Sequence, residues 1–199
     1  MSLPNCRLTV ALGAALLAWH SPAMAHESDS LMLGFVGGFL HPLAGADHLL
    51  AMVAVGIWGA FLGRPLVYLL PMAFPVMMAL GGVAAMAGLP LPPVEIGIAL
   101  SVLVLGAAIL FAYRAPVWLA VIIVAIFGLF HGYAHGLELP SMANPISFSL
   151  GFVLSTGLLH ICGIALGLLR GSSVGSRLLR GTGGLIALAG FWFFYWAVR

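Results

Sequence analysis

The chain has 199 residues, of which 63% are hydrophobic and only 6% are charged. Soluble domains carry about 25% charged residues, so this composition excludes a water-soluble globular protein and indicates an all-α bundle of helices within a lipid bilayer. The net charge of +2 is no indication of nucleic acid binding, because the arginines are spread over loops instead of forming a patch, and we expect no nucleic acid partner.

Residues 1–25 are typical of a cleavable secretory signal peptide. Arg7 supplies the positive charge, residues 8–19 form an apolar stretch, and residues 23–25 read Ala-Met-Ala. The alternative is an uncleaved first transmembrane helix, but about 20 apolar residues are needed to span a bilayer. Cleavage would start the mature chain at His26, whose amino group and imidazole together form a possible metal chelate.

The remainder, residues 26–199, is predicted to be a single domain of six transmembrane helices. These cover residues 31–62, 67–88, 94–112, 117–133, 146–169 and 178–198. The first would be about 48 Å long at 1.5 Å per residue, which exceeds the roughly 30 Å hydrocarbon core. Because Pro42 disfavours helical geometry at the residue before it, we expect this helix to be broken near His41-Pro42. Broken helices at membrane depth commonly line substrate sites.

The positive charges predict how the bundle is oriented. Five arginines fall in loops predicted to share one side of the membrane, whereas only Arg199 lies on the other side. The positive-inside rule therefore predicts a protein of the bacterial inner membrane whose mature N-terminus is periplasmic. The outer loops carry acidic residues, which either attract cations weakly or are simply the counterpart of that rule. The five arginines are Arg64, Arg114, Arg170, Arg177 and Arg180.

A first polar cluster interrupts the apolar stretch at residues 31–62. It contains His41, Asp47 and His48. Burying the carboxylate alone would cost roughly 2.5 kcal/mol or more if it is charged. We therefore expect these side chains to face a partner, a water-filled cavity or an ion, with Asp47 either binding the ion or orienting a histidine.

A second cluster lies near the outer end of the fourth predicted helix. His131 and His135 are four residues apart and share one helical face, and Glu138 falls on the same stripe if the helix continues. A single histidine in such a helix is more often a packing residue, but two clusters on the same side of the membrane favour a metal site. Imidazole and carboxylate suit Ni²⁺, Co²⁺, Zn²⁺ or Fe²⁺. His160 lies deeper, where it is either a relay for the ion or bonded across helices.

The two motifs together resemble the HupE/UreJ family of nickel and cobalt permeases. The resemblance rests on His41-x5-Asp47-His48 and on Phe130-His131-Gly132-x-Ala134-His135, and it extends to Leu159-His160-x2-Gly163. It implies a metal role for the histidines and the aspartate of both motifs. Family members supply nickel for hydrogenase or urease maturation, or take up cobalt. Many carry a glutamate close behind the second motif, whereas here Gly136 follows and the acid is Glu138.

The leading hypothesis is a secondary permease or facilitator that imports Ni²⁺ or Co²⁺, with Zn²⁺ also compatible with the ligands. It would be no enzyme and would carry no prosthetic group. The chain has no lysine and hence no Walker-type nucleotide loop. The main alternative is an intramembrane zinc-dependent hydrolase, in which the histidines would hold a Zn²⁺ that activates water. A metal sensor or accessory subunit is a third interpretation.

Overall fold

The computed structural model describes the backbone of residues 22–91, 93–138 and 144–199, and the side chains of these ranges from residue 31 onward except that of Glu138. The described residues form seven α-helices and one 3₁₀ turn, without a β-strand. The predicted signal peptide lies outside them, apart from its last four residues at the start of the first helix. The helices are α1 Pro22–Ala44, α2 Ala46–Leu62, α3 Leu66–Met86, α4 Val94–Leu110, α5 Val117–Glu138, α6 Pro145–Gly167 and α7 Ser173–Ala197, with the 3₁₀ turn at Leu168–Gly171.

Helix α2 is the centre of the bundle. It contacts α1, α3, α4, α6 and α7. Most residues from Ala51 to Ala60 are buried, among them Met52, Ile57 and Trp58. A helix that is apolar on every side is stable either among other helices or against lipid, so its apolar character alone does not place it in the centre. The contacts with five neighbouring helices place the helix that follows the first polar cluster in the core of the protein.

The first apolar stretch is broken, but not where the sequence predicted. The two halves meet at 79° across Gly45, and Pro42 lies inside α1. The predicted break near His41-Pro42 is therefore wrong by about one helical turn. Proline has a fixed φ that fits a helix, and here its cost is confined to the last turn of α1. Gly45 instead takes an extended conformation, with φ −88° and ψ 111°, and ends the helix.

Glycines allow the helix pairs to pack closely. Gly128, Gly132 and Gly136 form a stripe along α5 that lies against α3. A Cβ atom at Gly132 would collide with the backbone of Met78. Small residues at four-residue spacing are the usual means by which membrane helices approach one another. The stripe fixes the rotation of α5, because this face must point towards α3.

The helix lengths fit a multi-pass membrane protein. Helices α3, α5, α6 with its 3₁₀ turn, and α7 are each long and apolar enough to cross a bilayer, and the bent pair α1–α2 counts as a fifth crossing if its halves form one span. Helix α4 has 17 residues, or about 25 Å at 1.5 Å per residue, which is short of the usual hydrocarbon thickness. Six spans therefore remain a prediction.

One end of the bundle carries arginines bonded to helix carbonyls. Arg170 Nη1 donates to the Phe61 carbonyl at 3.1 Å, and Arg180 Nε donates to the Leu110 carbonyl at 2.8 Å. These carbonyls lie at the C-terminal ends of α2 and α4, where a positive charge is favourable. We call this the arginine end. It includes Arg64 and Arg114 between helices, Arg170 in the 3₁₀ turn, and Arg177 and Arg180 in the first part of α7.

Candidate metal site

Four histidines meet in the half of the bundle away from the arginine end. The ring centroids of His48 and His131 lie 4.5 Å apart, and those of His48 and His135 also lie 4.5 Å apart. The ring of His41 contacts His135 at 4.9 Å. These four residues are here called the histidine cluster. The structure thus brings together the two motifs that the sequence places about 90 residues apart.

Three helices position the cluster. His41 lies in the last turn of α1 and His48 in the first turn of α2, so the break at Gly45 separates them. His131 and His135 lie one turn apart on α5. Because the glycine stripe faces α3, the histidines one residue before Gly132 and Gly136 point to a neighbouring face, towards the start of α2. Along α5, the glycines therefore pack against α3, and the histidines that precede them contact His48.

Asp47 orients His48. Its Oδ1 atom lies 3.0 Å from His48 Nδ1 and also accepts the His48 backbone N–H at 2.8 Å. An ionised carboxylate can only accept, so Nδ1 carries a proton, and in the neutral ring Nε2 then keeps its lone pair. That Nε2 atom is buried and has no hydrogen-bond partner among the described residues. The geometry favours the orienting role among the two that the sequence left open for Asp47.

His131 is the most deeply buried member, with no exposed surface. Its Nε2 atom lies 2.9 Å from the hydroxyl of Ser101 on α4. Its Nδ1 atom is buried without a hydrogen-bond partner in the described part of the chain. Sequence reasoning missed Ser101. It is the only hydroxyl in the apolar helix α4, which marks it as a polar group in need of a partner but does not say which residue that partner is.

Aromatic rings surround the cluster. Phe152 lies 4.5 Å from His135, and Phe148 lies 5.5 Å from His41, as centroid distances. The Phe74 ring contacts His131 at 5.2 Å on one side and His160 at 5.7 Å on the other. His160 is thus separate from the cluster, although it is itself buried. No pattern in the sequence distinguished Phe74 from the other phenylalanines of this apolar chain.

Two cavities approach the site. One of about 250 Å³ lies between α3, α5 and α6 and is lined by His135, Phe152 and Thr156, among others. The other, of about 300 Å³, lies where α2, α4 and α7 meet, and its lining includes the carboxylates of Asp47 and Glu95. Among the described residues, no histidine lines the second cavity, and Asp47, which contacts His48, is its link to the histidine cluster. Its two carboxylates favour a cation there.

The residues of the histidine cluster suit a transition metal by their chemistry, but they do not form a complete set of ligands in this structure. Imidazole nitrogens bind Zn²⁺ at about 2.0–2.1 Å and also bind nickel and cobalt, and two of the clustered rings keep a buried nitrogen available. Among the residues whose side chains are described, no three His, Cys, Asp or Glu groups are arranged to hold one ion. The side chains of His26 and Glu138 lie outside the described residues, so their predicted roles stay predictions.

A helical membrane protein that buries imidazoles between its helices is the class that fold and site define. The chain belongs to the HupE/UreJ family, since the family profile of the HupE / UreJ protein matches residues 14–193. It is 43% identical to Protein HupE of Rhizobium leguminosarum bv. viciae over 185 residues, which is 92% of this chain and 95% of that protein. No solved structure matches the chain.

The family predicted from the two histidine motifs is thereby confirmed. This family is related to nickel and cobalt transport, which is consistent with a protein that is not an enzyme. The intramembrane zinc hydrolase that the histidines left open receives no support from the relatives.

Proposed function

We propose that this protein imports Ni²⁺ or Co²⁺ across the bacterial inner membrane, as a secondary permease or facilitator without a prosthetic group. The observation that carries the proposal is the histidine cluster, in which imidazoles from α1, α2 and α5 touch ring to ring inside an apolar bundle. Imidazoles buried among membrane helices are costly and mark ion pathways. Neutral imidazole binds nickel and cobalt well and binds Mg²⁺ or Ca²⁺ poorly.

The proposed route begins at the acidic cavity beside Asp47 and Glu95. The ion exchanges part of its water shell for imidazole nitrogens of the cluster. It then passes the Phe74 ring towards His160, whose Nε2 atom is buried without a hydrogen-bond partner in the described residues. His160 serves in this proposal as a relay, and Glu138 and His26 assist capture at the outer surface.

The proposed orientation places the arginine end in the cytoplasm and the histidine cluster towards the periplasm. The membrane potential then drives a cation inward with about 2.3 kcal/mol per charge per 100 mV, and a divalent ion gains about twice that. Cysteine labelling tests the orientation in a protein whose own cysteines are replaced by serine. An impermeant thiol reagent added to intact spheroplasts should label Val198→Cys and leave Ser172→Cys unlabelled; the reverse pattern would contradict the proposed direction.

Uptake of radiolabelled nickel and cobalt tests the function itself. Cells that express the protein should accumulate either ion faster than cells that express His48→Ala at an equal amount in the membrane. Gly157→Ala is the matched control, because a Cβ at Gly157 meets no atom within 4 Å. Competition among Ni²⁺, Co²⁺ and Zn²⁺ identifies the physiological ion. Equal accumulation by wild type and His48→Ala would contradict the proposal.

A further inference from the structure

Ser101 lies between a backbone carbonyl and a ring of the histidine cluster. Its hydroxyl is fully buried on α4, 2.6 Å from the carbonyl oxygen of Ile98 and 2.9 Å from His131 Nε2. Both distances are those of good hydrogen bonds. The two partners differ in what they can do, because a carbonyl oxygen can only accept, whereas a neutral imidazole nitrogen either donates or accepts.

Counting protons fixes the direction of both bonds. The serine hydroxyl has one proton, and the Ile98 carbonyl must receive it. The serine oxygen is then left with lone pairs only, so the bond to His131 has to be donated by Nε2–H. A neutral imidazole carries one proton. His131 Nδ1 therefore holds a lone pair, and it is this atom that is buried without a hydrogen-bond partner among the described residues.

We infer that Ser101 is a positioning residue of the metal site: it holds His131 in the Nε2–H tautomer, so that Nδ1 is the atom offered to the ion. The identity of the bound ion in this inference rests on the proposed function, whereas the two hydrogen bonds of Ser101 do not depend on it. Ser101 does not touch the ion and acts only through His131. A hydrogen bond to the second ring nitrogen is the general means by which proteins fix the tautomer and rotation of a metal-binding histidine.

His48 is held in a similar way, but through the other ring nitrogen. Asp47 holds the Nδ1 proton of His48 and leaves Nε2 available, whereas Ser101 holds the Nε2 proton of His131 and leaves Nδ1 available. The two rings are 4.5 Å apart and nearly perpendicular, at 82°. Each ring thus has one occupied and one available nitrogen, and different helices supply the two orienting groups. One of these groups carries a charge and the other is neutral.

Nitrogen NMR of the metal-free protein tests the inference directly. The full chain is labelled with ¹⁵N-histidine, stripped of metal with a chelator, and its His131 signals are assigned by their loss in His131→Gln. Wild type should show the proton of His131 on Nε2, and Ser101→Ala should shift the ring to a mixture of tautomers. A proton on Nδ1 in wild type, or an unchanged tautomer in Ser101→Ala, would overturn the inference.

Nickel affinity of the purified protein provides the second readout. Loss of an orienting partner typically weakens metal binding by about 10- to 100-fold, so Ser101→Ala should fall in that range. Ser155→Ala is the matched control, because it removes an equally buried hydroxyl from α6, and it should bind nickel as wild type does. Equal affinities of Ser101→Ala and wild type would overturn the positioning role.

The two experiments separate this inference from the proposed function. If wild type has the expected tautomer but binds neither nickel nor cobalt, the proposed transport fails and the hydrogen-bond assignment stands. If wild type binds nickel but carries the His131 proton on Nδ1, the role of Ser101 fails and transport stands.

Discussion

The two ends of the bundle treat their polar side chains in opposite ways. At the arginine end, Arg170 and Arg180 are exposed and donate to backbone carbonyls at the ends of helices, which have no hydrogen-bond partner within their own helix. At the other end, the rings of His48 and His131 lie within hydrogen-bond distance of Asp47 and Ser101, and each retains a buried nitrogen without a hydrogen-bond partner in the described residues. The arginine end completes the hydrogen bonding of the helix ends, whereas the histidine end keeps two buried ring nitrogens that could bind a ligand.

Helix α2 shows the contrast within one element. Its last turn offers the Phe61 carbonyl to an arginine, and its first turn carries His48 in contact with two other imidazoles. The turns between them are buried and apolar. The difference indicates that changes at the histidine end should affect metal binding first, and that changes at the arginine end should affect stability first.

The largest effect is expected from His131→Gln. Glutamine is polar and comparable in size but lacks the imidazole nitrogen, and it removes the ring that contacts Ser101, which keeps its bond to the Ile98 carbonyl. Loss of a ligand should exceed the loss of an orienting group, so nickel affinity should fall by at least about 100-fold. The measurement is nickel titration of the purified protein. Wild-type affinity in this variant would remove His131 from the site.

The next largest effect is expected from Gly132→Ala, which tests whether α5 packs closely against α3 beside the histidine cluster. The added Cβ would collide with the Met78 backbone, so α3 and α5 must separate. Overpacking of this kind costs about 1–3 kcal/mol, which thermal unfolding in detergent would report. Gly157→Ala, where the new atom meets nothing within 4 Å, should unfold within the error of wild type. Equal stability of the two variants would contradict the close α3–α5 contact.

A smaller effect is expected from Gly45→Ala at the helix break. The backbone there has a negative φ, so alanine causes no backbone strain. Its Cβ would lie 3.0 Å from Asp47 Oδ1 and 3.3 Å from His48 Nδ1, which disturbs the bond between them. Nickel affinity should fall severalfold while the unfolding temperature stays close to that of wild type. A drop in stability with unchanged affinity would show that Gly45 serves the fold and not the site.

The smallest effect is expected from Arg180→Gln at the arginine end. It weakens an exposed bond to the Leu110 carbonyl, and a charge at a helix C-terminus is worth about 0.5 kcal/mol. Unfolding should shift slightly, and nickel affinity of the folded protein should not change. If this variant lost nickel binding, the division between the two ends would be wrong.

The sequence predicted the parts of the site that follow from spacing. His131 and His135 four residues apart had to share a helix face, and the motifs identified the family. It did not predict the break at Gly45. Proline disfavours helical geometry at the residue before it, which indicated a break at His41, but the last turn of α1 accommodates Pro42 and the helix continues to Ala44. Nor could it predict that Ser101 meets His131, because this contact depends on how α4 and α5 are rotated against each other.

X-ray absorption of the purified, nickel-loaded protein tests the central claim most directly. The nickel spectrum should show imidazole nitrogens as ligands, at a distance close to the roughly 2.0–2.1 Å found for zinc. The imidazole scattering should be reduced in His131→Gln and retained in Arg180→Gln. A nickel spectrum without imidazole scattering, or one that His131→Gln leaves unchanged, would contradict the claim that the histidine cluster binds the transported ion.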